Sequence, residues 1–262
     1  MKNRYNYLHI LVLFFSMQYA QIYGQQTEID TNIQSEYNHA IKLFNSKAYA
    51  ASQKYFIKVS EKSTIKNDLK ANADYYDAMC AIKLNQTNAD KKVIRFVNNY
   101  PSSTKKDRAY FNVGNYYFAN KKAAYALKWY SKVNLEALSL ANKKELNFKM
   151  GYAFLSTRNL DLAKNKFVLL INDPKYGNDS RYYFGYISYK QEDYEIAEKT
   201  LEEIADDEAY KSEVTYYLLD ISFKAGRFEK CIEVGQKLLE NAKPKEVSEI
   251  SKIIGESYFN LK

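Results

Sequence analysis

Seven positions in this chain, Ala40, Ala78, Gly114, Gly151, Gly185, Leu219 and Gly255, recur at intervals of 34 to 38 residues. A period of that length carried along a whole chain means one supersecondary unit used again and again, because each unit needs a neighbour on which to bury its apolar face. The unit is plainest over Ala109 to Val133. Val113, Tyr117, Tyr130 and Val133 recur there at helical spacing around the small residues Gly114 and Ala126, and Asn120-Lys121-Lys122 interrupts the pattern as a tight turn. The stretch reads as two amphipathic helices whose backbones approach closely at the small residues. With 8 glycines, 3 prolines and no long alternating apolar and polar runs, the remaining chain also reads as helical.

Tyr110, Val113, Gly114, Tyr117, Ala126 and Tyr130 carry a resemblance to the tetratricopeptide repeat (TPR), a helix-turn-helix unit of 34 residues with the skeleton W-x2-L-G-x2-Y…A-x3-F, here with Tyr for Trp. Phe184-Gly185, Tyr194, Ala197 and Leu201 match next best. Met150-Gly151, Phe154, Ala163 and Phe167 form a further unit, while the units around Ala40, Ala78 and Leu219 depart more from the pattern. A last first helix, Glu246 to Leu261, carries Ile254-Gly255 and Tyr258. The resemblance implies an all-α, right-handed TPR solenoid of about six helix-turn-helix units plus a terminal helix, spanning residues 36–262.

Residues 1–24 have the pattern of a secretory signal peptide. Lys2 and Arg4 precede an apolar stretch from Tyr7 to Ala20, and a cleavage site falls before Gln25. That stretch is short of the roughly 20 residues a membrane-spanning helix requires. No cysteine follows it for a lipid anchor. Residues 25–35 are polar and read as a flexible lead-in. The expected compartment is the periplasm of a Gram-negative bacterium, with no stable membrane span after cleavage. Cys80 and Cys231 fall on helices four units apart, which argues against a disulfide and for two small buried side chains.

In TPR proteins positions 5, 9 and 12 of each first helix face the concave groove. Carried over residue by residue, these include Tyr75, Phe111, Asn115, Phe118, Phe148, Tyr152, Tyr182, Tyr186, Tyr189, Tyr216 and Phe223. The resemblance implies an aromatic, partner-binding groove, since rings give large contact area at low side-chain entropy cost. Each ring has a second reading, packing against the ring of the next first helix. The inner positions lack the basic and Asn set by which chaperone-binding TPR domains clamp a terminal carboxylate.

Charge is uneven. Residues 25–190 hold 27 Lys and Arg against 14 Asp and Glu, a net of +13, whereas residues 191–262 hold 10 against 17, a net of −7. Nucleic acid is a poor partner for this basicity, because lysine outnumbers arginine 33 to 6 and no nucleic-acid motif is present. Catalysis finds no foothold: His9 and His39 are the two histidines, and no metal spacing, phosphate loop or nucleophile motif appears. No cofactor is expected. The sequence thus points to a non-catalytic interaction scaffold in the cell envelope that holds segments of other envelope proteins. Two alternatives stand beside it: a segment of a longer or head-to-tail self-associating array, and glycan binding by the groove aromatics.

Overall fold

The computed structural model describes residues 32–63, 68–240 and 244–262. Every regular element among them is helical. The first helix, α1, covers 32–45, followed by α2 (Tyr49–Lys62), α3 (Asp68–Lys83), α4 (Ala89–Asn99), α5 (Lys106–Ala119), α6 (Ala123–Tyr130) and α7 (Leu140–Ser156). Then come α8 (Leu160–Phe167), α9 (Gly177–Lys190), α10 (Tyr194–Glu202), α11 (Lys211–Lys224), α12 (Phe228–Leu239) and α13 (Pro244–Asn260). The described residues divide into two compact units, the first made of those within 32–120 with 132–137 and the second of those within 121–131 with 138–262. The boundary falls inside the third hairpin, at the turn between α5 and α6.

The hairpin turns repeat one geometry. Lys47, Asn85, Lys121, Arg158 and Glu192 sit at φ of 63°, 55°, 57°, 62° and 62°, and Gly226 at 72°. In five of these turns an N–H just past the first helix returns to a carbonyl five residues back: Ala48 to Leu43, Gln86 to Ala81, Asn159 to Phe154, Asp193 to Ser188 and Arg227 to Ser222, at 2.9–3.0 Å. This satisfies carbonyls that the helix end leaves open. Five of the six turns accept a left-handed residue with a side chain, at a cost of roughly 1–2 kcal/mol each; only Gly226 avoids it. The turn is therefore written into the packing and not into glycine alone.

The small positions set how closely paired helices approach. A Cβ on Gly151 would sit 3.0 Å from the ring of Phe167, sixteen residues on, and one on Gly185 would sit 2.7 Å from Leu201, again sixteen on. Phe167 and Leu201 are completely buried. A second close approach lies twelve residues on. Ser52 Oγ donates to the Ala40 carbonyl at 2.9 Å and Cys231 Sγ to the Leu219 carbonyl at 3.7 Å, with Ala126, Ala163 and Ala197 buried at the matching places. Cys231 is thus a small core residue, and both cysteines are free and buried. Where Leu219 replaces the small residue, the glycine moves to the second helix: Gly235 lies against Ile254, 2.8 Å from where its Cβ would be.

Unit 1 is built round Ile33, Ala40, Phe56, Val59, Ala73 and Cys80, with Phe56 stacked on Tyr76 at 5.0 Å. Residues 32–35 are already helical and Ile33 is buried, which corrects the expectation of a flexible lead-in to residue 35; an apolar side chain that can reach Phe56 extends the helix backward. The signal peptide and residues 25–31 lie outside the described residues. Unit 2 has successive cores at Ala163, Phe167 and Ile187, at Leu201, Ile204 and Val214, and at Leu219, Cys231, Ile250, Ile253 and Ile254. On α13, Ile253 and Ile254 are buried while Phe259 is 77% exposed. A Cβ on Gly255 would meet nothing within 4 Å.

Two glycine substitutions should therefore move stability in opposite directions. Gly185→Ala drives a methyl into Leu201 and is expected to destabilise by about 1–3 kcal/mol. Gly255→Ala gains helix propensity without a clash and is expected to stabilise by about 0.5–1 kcal/mol. Urea melts of the two variants decide the matter, and equal effects would refute the close-approach account.

Candidate functional site

The expected site residues fall into two sets. Tyr75, Phe111, Asn115 and Phe118 belong to unit 1, and Phe148, Tyr152, Tyr182, Tyr186, Tyr189, Tyr216 and Phe223 to unit 2. In unit 1, Phe111 is 3% and Tyr75 6% exposed, so neither ring lies open in a groove, which corrects that expectation. Position 5 turns toward the space between helices, where Tyr75 meets Tyr76 at 5.1 Å and Phe96 at 5.5 Å. Asn115 and Phe118 are half-buried.

In unit 2 the rings are more open, and they pack on each other as well. Tyr182 stacks on Tyr186 at 6.5 Å and on Tyr210 at 4.6 Å. Tyr186 and Tyr189 both reach Tyr217, at 5.8 and 4.9 Å. Phe148 stacks on Tyr176 at 4.9 Å, while Tyr152, 42% exposed, touches Tyr183 at 5.7 Å. Phe223 packs edge-on to Phe228 at 5.7 Å. Lys190 lies over Tyr186 and Tyr189 at 5.6 and 5.4 Å, and Lys224 over Tyr189 and Tyr194 at 5.8 and 5.4 Å. Cations over ring faces at these distances are attractive and hold the rings in place.

Phenols also link neighbouring first helices through carboxylates. Tyr189 Oη donates to Asp220 at 2.7 Å and Tyr216 Oη to Glu249 at 2.7 Å, joining α9 to α11 and α11 to α13. Tyr210 donates to Asp179. In unit 1, Tyr117 donates to Asp90 and Tyr100 to Asp74, each at 2.8 Å. Hydrogen bonds to an ionised acceptor are the strong kind. The donors of Tyr189 and Tyr216 are therefore occupied by the fold. Burial, followed by the bonded carboxylate, raises the pKa of the Tyr189, Tyr210 and Tyr216 phenols.

Sequence reasoning missed the position-6 rings Tyr76, Tyr183 and Tyr217 and the inter-repeat tyrosines Tyr100, Tyr176 and Tyr210. A signal was available: Tyr75-Tyr76, Tyr182-Tyr183 and Tyr216-Tyr217 are tandem pairs, and neighbouring helix positions place one ring inward and one along the stack. Among the described residues no group of His, Cys, Asp and Glu is arranged to hold a metal ion. No helix among them is long and apolar enough to cross a membrane.

No protein-family model matches the sequence, and no curated protein matches it. Solved structures are similar in fold. The apo form of RapI aligns with a TM-score of 0.53 at 14% identity, covering 86% of this chain and 74% of that one. PilF of Pseudomonas aeruginosa aligns at 0.48 and 13% identity, covering 81% and 92%, and the TPR domain of P58(IPK) at 0.38 and 14% identity, covering 88% and 66%. With the period, the hairpins and the small-residue contacts described above, the chain has the all-α TPR fold.

The phenols give the fold an alkaline limit. Burial pushes Tyr37, Tyr75 and Tyr183 up to about 12 from an ordinary value of 10.0. An unfolded phenol ionises near 10 and these folded ones near 12, so the unfolded state binds fewer protons between those values. The stability they contribute is complete below pH 10 and is lost as pH rises toward about 12. Helicity by circular dichroism should fall in that window together with the rise of tyrosinate absorbance. A smooth rise in absorbance with helicity intact would refute the burial.

Proposed function

We propose that this protein is a non-catalytic interaction module that holds a segment of a partner protein on the aromatic face of unit 2. The observation that carries the reading is the run of rings on α7, α9 and α11, Phe148, Tyr152, Tyr182, Tyr186, Tyr189, Tyr216 and Phe223, held by stacking and by cations while part of their faces stays exposed. Rings already fixed in place lose little entropy on binding, and aromatic side chains dominate the energetics of interfaces. The signal-like segment ahead of Gln25 supports the cell envelope as its place of work, with envelope proteins or their segments as partners.

The experiment starts from the full chain produced in a Gram-negative host. Protein from the periplasmic fraction is expected to begin at Gln25; full-length protein confined to the cytoplasm would count against export. Partners trapped by photo-crosslinking at Tyr186 are then titrated against the parent, Tyr152→Ala and Tyr186→Ala. Each substitution is expected to weaken binding about tenfold, or ~1.4 kcal/mol, at unchanged helicity. Unchanged affinity in both variants would sink the aromatic-face reading.

A further inference from the structure

Unit 1 carries a cleft of about 530 Å³ whose chemistry differs from that of the ring face. Phe44 on α1, Tyr49 on α2 and Tyr76 on α3 contribute half-buried rings, while Tyr75 and Met79 on α3 are buried. Around them stand Lys47 from the α1–α2 turn, Lys83 from the end of α3, and Lys105 and Arg108 from the start of α5. Asn45 and Asn112 add amides, and no carboxylate lines the cleft.

Three lysines elsewhere in unit 1 find acids. Lys58 and Lys62 reach Glu36 at 2.6 and 3.1 Å, and Lys92 reaches Asp77 at 2.7 Å. Lys47, Lys83, Lys105 and Arg108 have no carboxylate partner among the described residues. Lys105 instead lies over the ring of Tyr75, 5.8 Å from its centroid. Asn112 donates to Met79 Sδ at 3.1 Å, a weak acceptor that a better one can replace. Four like charges gathered from three separate chain segments repel one another unless an anion lies among them. A guanidinium beside ammonium groups suits carboxylates, because its fork grips both oxygens of one group.

We propose that this cleft binds an acidic peptide segment, with side-chain carboxylates between Arg108 and Lys83 and an apolar side chain against the half-buried rings of Phe44, Tyr49 and Tyr76. The proposal rests on the interaction reading above and names a second, charge-selective surface in the other unit. Its anions are side chains within a segment, so a free chain end is not required.

The test is fluorescence anisotropy on the full chain with labelled, C-terminally amidated peptides of alternating Glu and Leu or Phe in permuted order, beside counterparts in which every Glu is Gln. Acidic peptides are expected to bind at least tenfold more tightly than their Gln counterparts. Lys83→Gln and Arg108→Gln should each reduce that affinity about tenfold at unchanged helicity, while Lys54→Gln, on exposed α2 surface outside the cleft, leaves it unchanged. Equal binding of Glu and Gln peptides overturns the acidic assignment but leaves the interaction reading standing. Binding of a sulfated oligosaccharide with no peptide binding also overturns it, in favour of a glycan. Failure of every peptide here, while Tyr152→Ala and Tyr186→Ala still weaken a trapped partner, sinks this cleft alone; failure of both sinks the broader reading.

Discussion

The structure depends on a large side chain filling the space left by a small one sixteen residues earlier. Phe167 against Gly151 and Leu201 against Gly185 bring paired helices closer than a Cβ on the first helix would permit. At that separation dispersion contacts are dense and a single added methyl is felt. The hairpin turn must then be short, and the left-handed residue at Lys47, Arg158 or Glu192 is accepted although it costs free energy locally. At Leu219 the arrangement differs: the glycine of that hairpin, Gly235, lies on the second helix, and the side chains against it are Ile254 and Ile250 of the following helix.

Stacking of one repeat on the next uses different chemistry. Tyr189 with Asp220 and Tyr216 with Glu249 tie successive first helices by charge-assisted hydrogen bonds. These bonds form at the edge of the rings whose faces make the candidate surface. The hydroxyl of each ring thus serves the stack while its faces meet neighbouring rings and, at Tyr189, the cations Lys190 and Lys224.

The period and the turns were legible because both follow from local spacing. Gly151 and Gly185 mark the close approaches directly, and Asn120-Lys121-Lys122 marks its turn. The division of the chain within that same hairpin was not legible, because it depends on contact density across many residues, and Tyr110 to Tyr130 carry the repeat pattern most fully. Phe111 and Tyr75 were misplaced for a geometric reason. A helical position fixes the direction of a side chain only to within the width of the stripe, and in the tandem aromatics Tyr75-Tyr76 and Tyr110-Phe111 one ring of each pair enters the core. The cations of the unit 1 cleft escaped notice because Lys47, Lys83, Lys105 and Arg108 come from separate segments, and only packing brings them together.

Formal charge is a poor guide to where this chain is electrostatically active. The acidic stretch, residues 191–262 with a net of −7, has several carboxylates already engaged. Asp220 accepts from Tyr189 and pairs with Lys224 at 2.9 Å, Glu203 pairs with Arg181 at 2.6 Å, Glu198 with Arg227 at 2.7 Å, and Glu249 accepts from Tyr216. Their fields are largely neutralised at short range, and solvent ions screen the remainder over about 10 Å. The cations lining the unit 1 cleft have no such partners among the described residues. A cleft walled by side chains of lower dielectric than water concentrates their field. The cleft beside Tyr75 therefore gathers four cations from three chain segments with no carboxylate in its lining, a concentration that a net count over some 160 residues does not reveal.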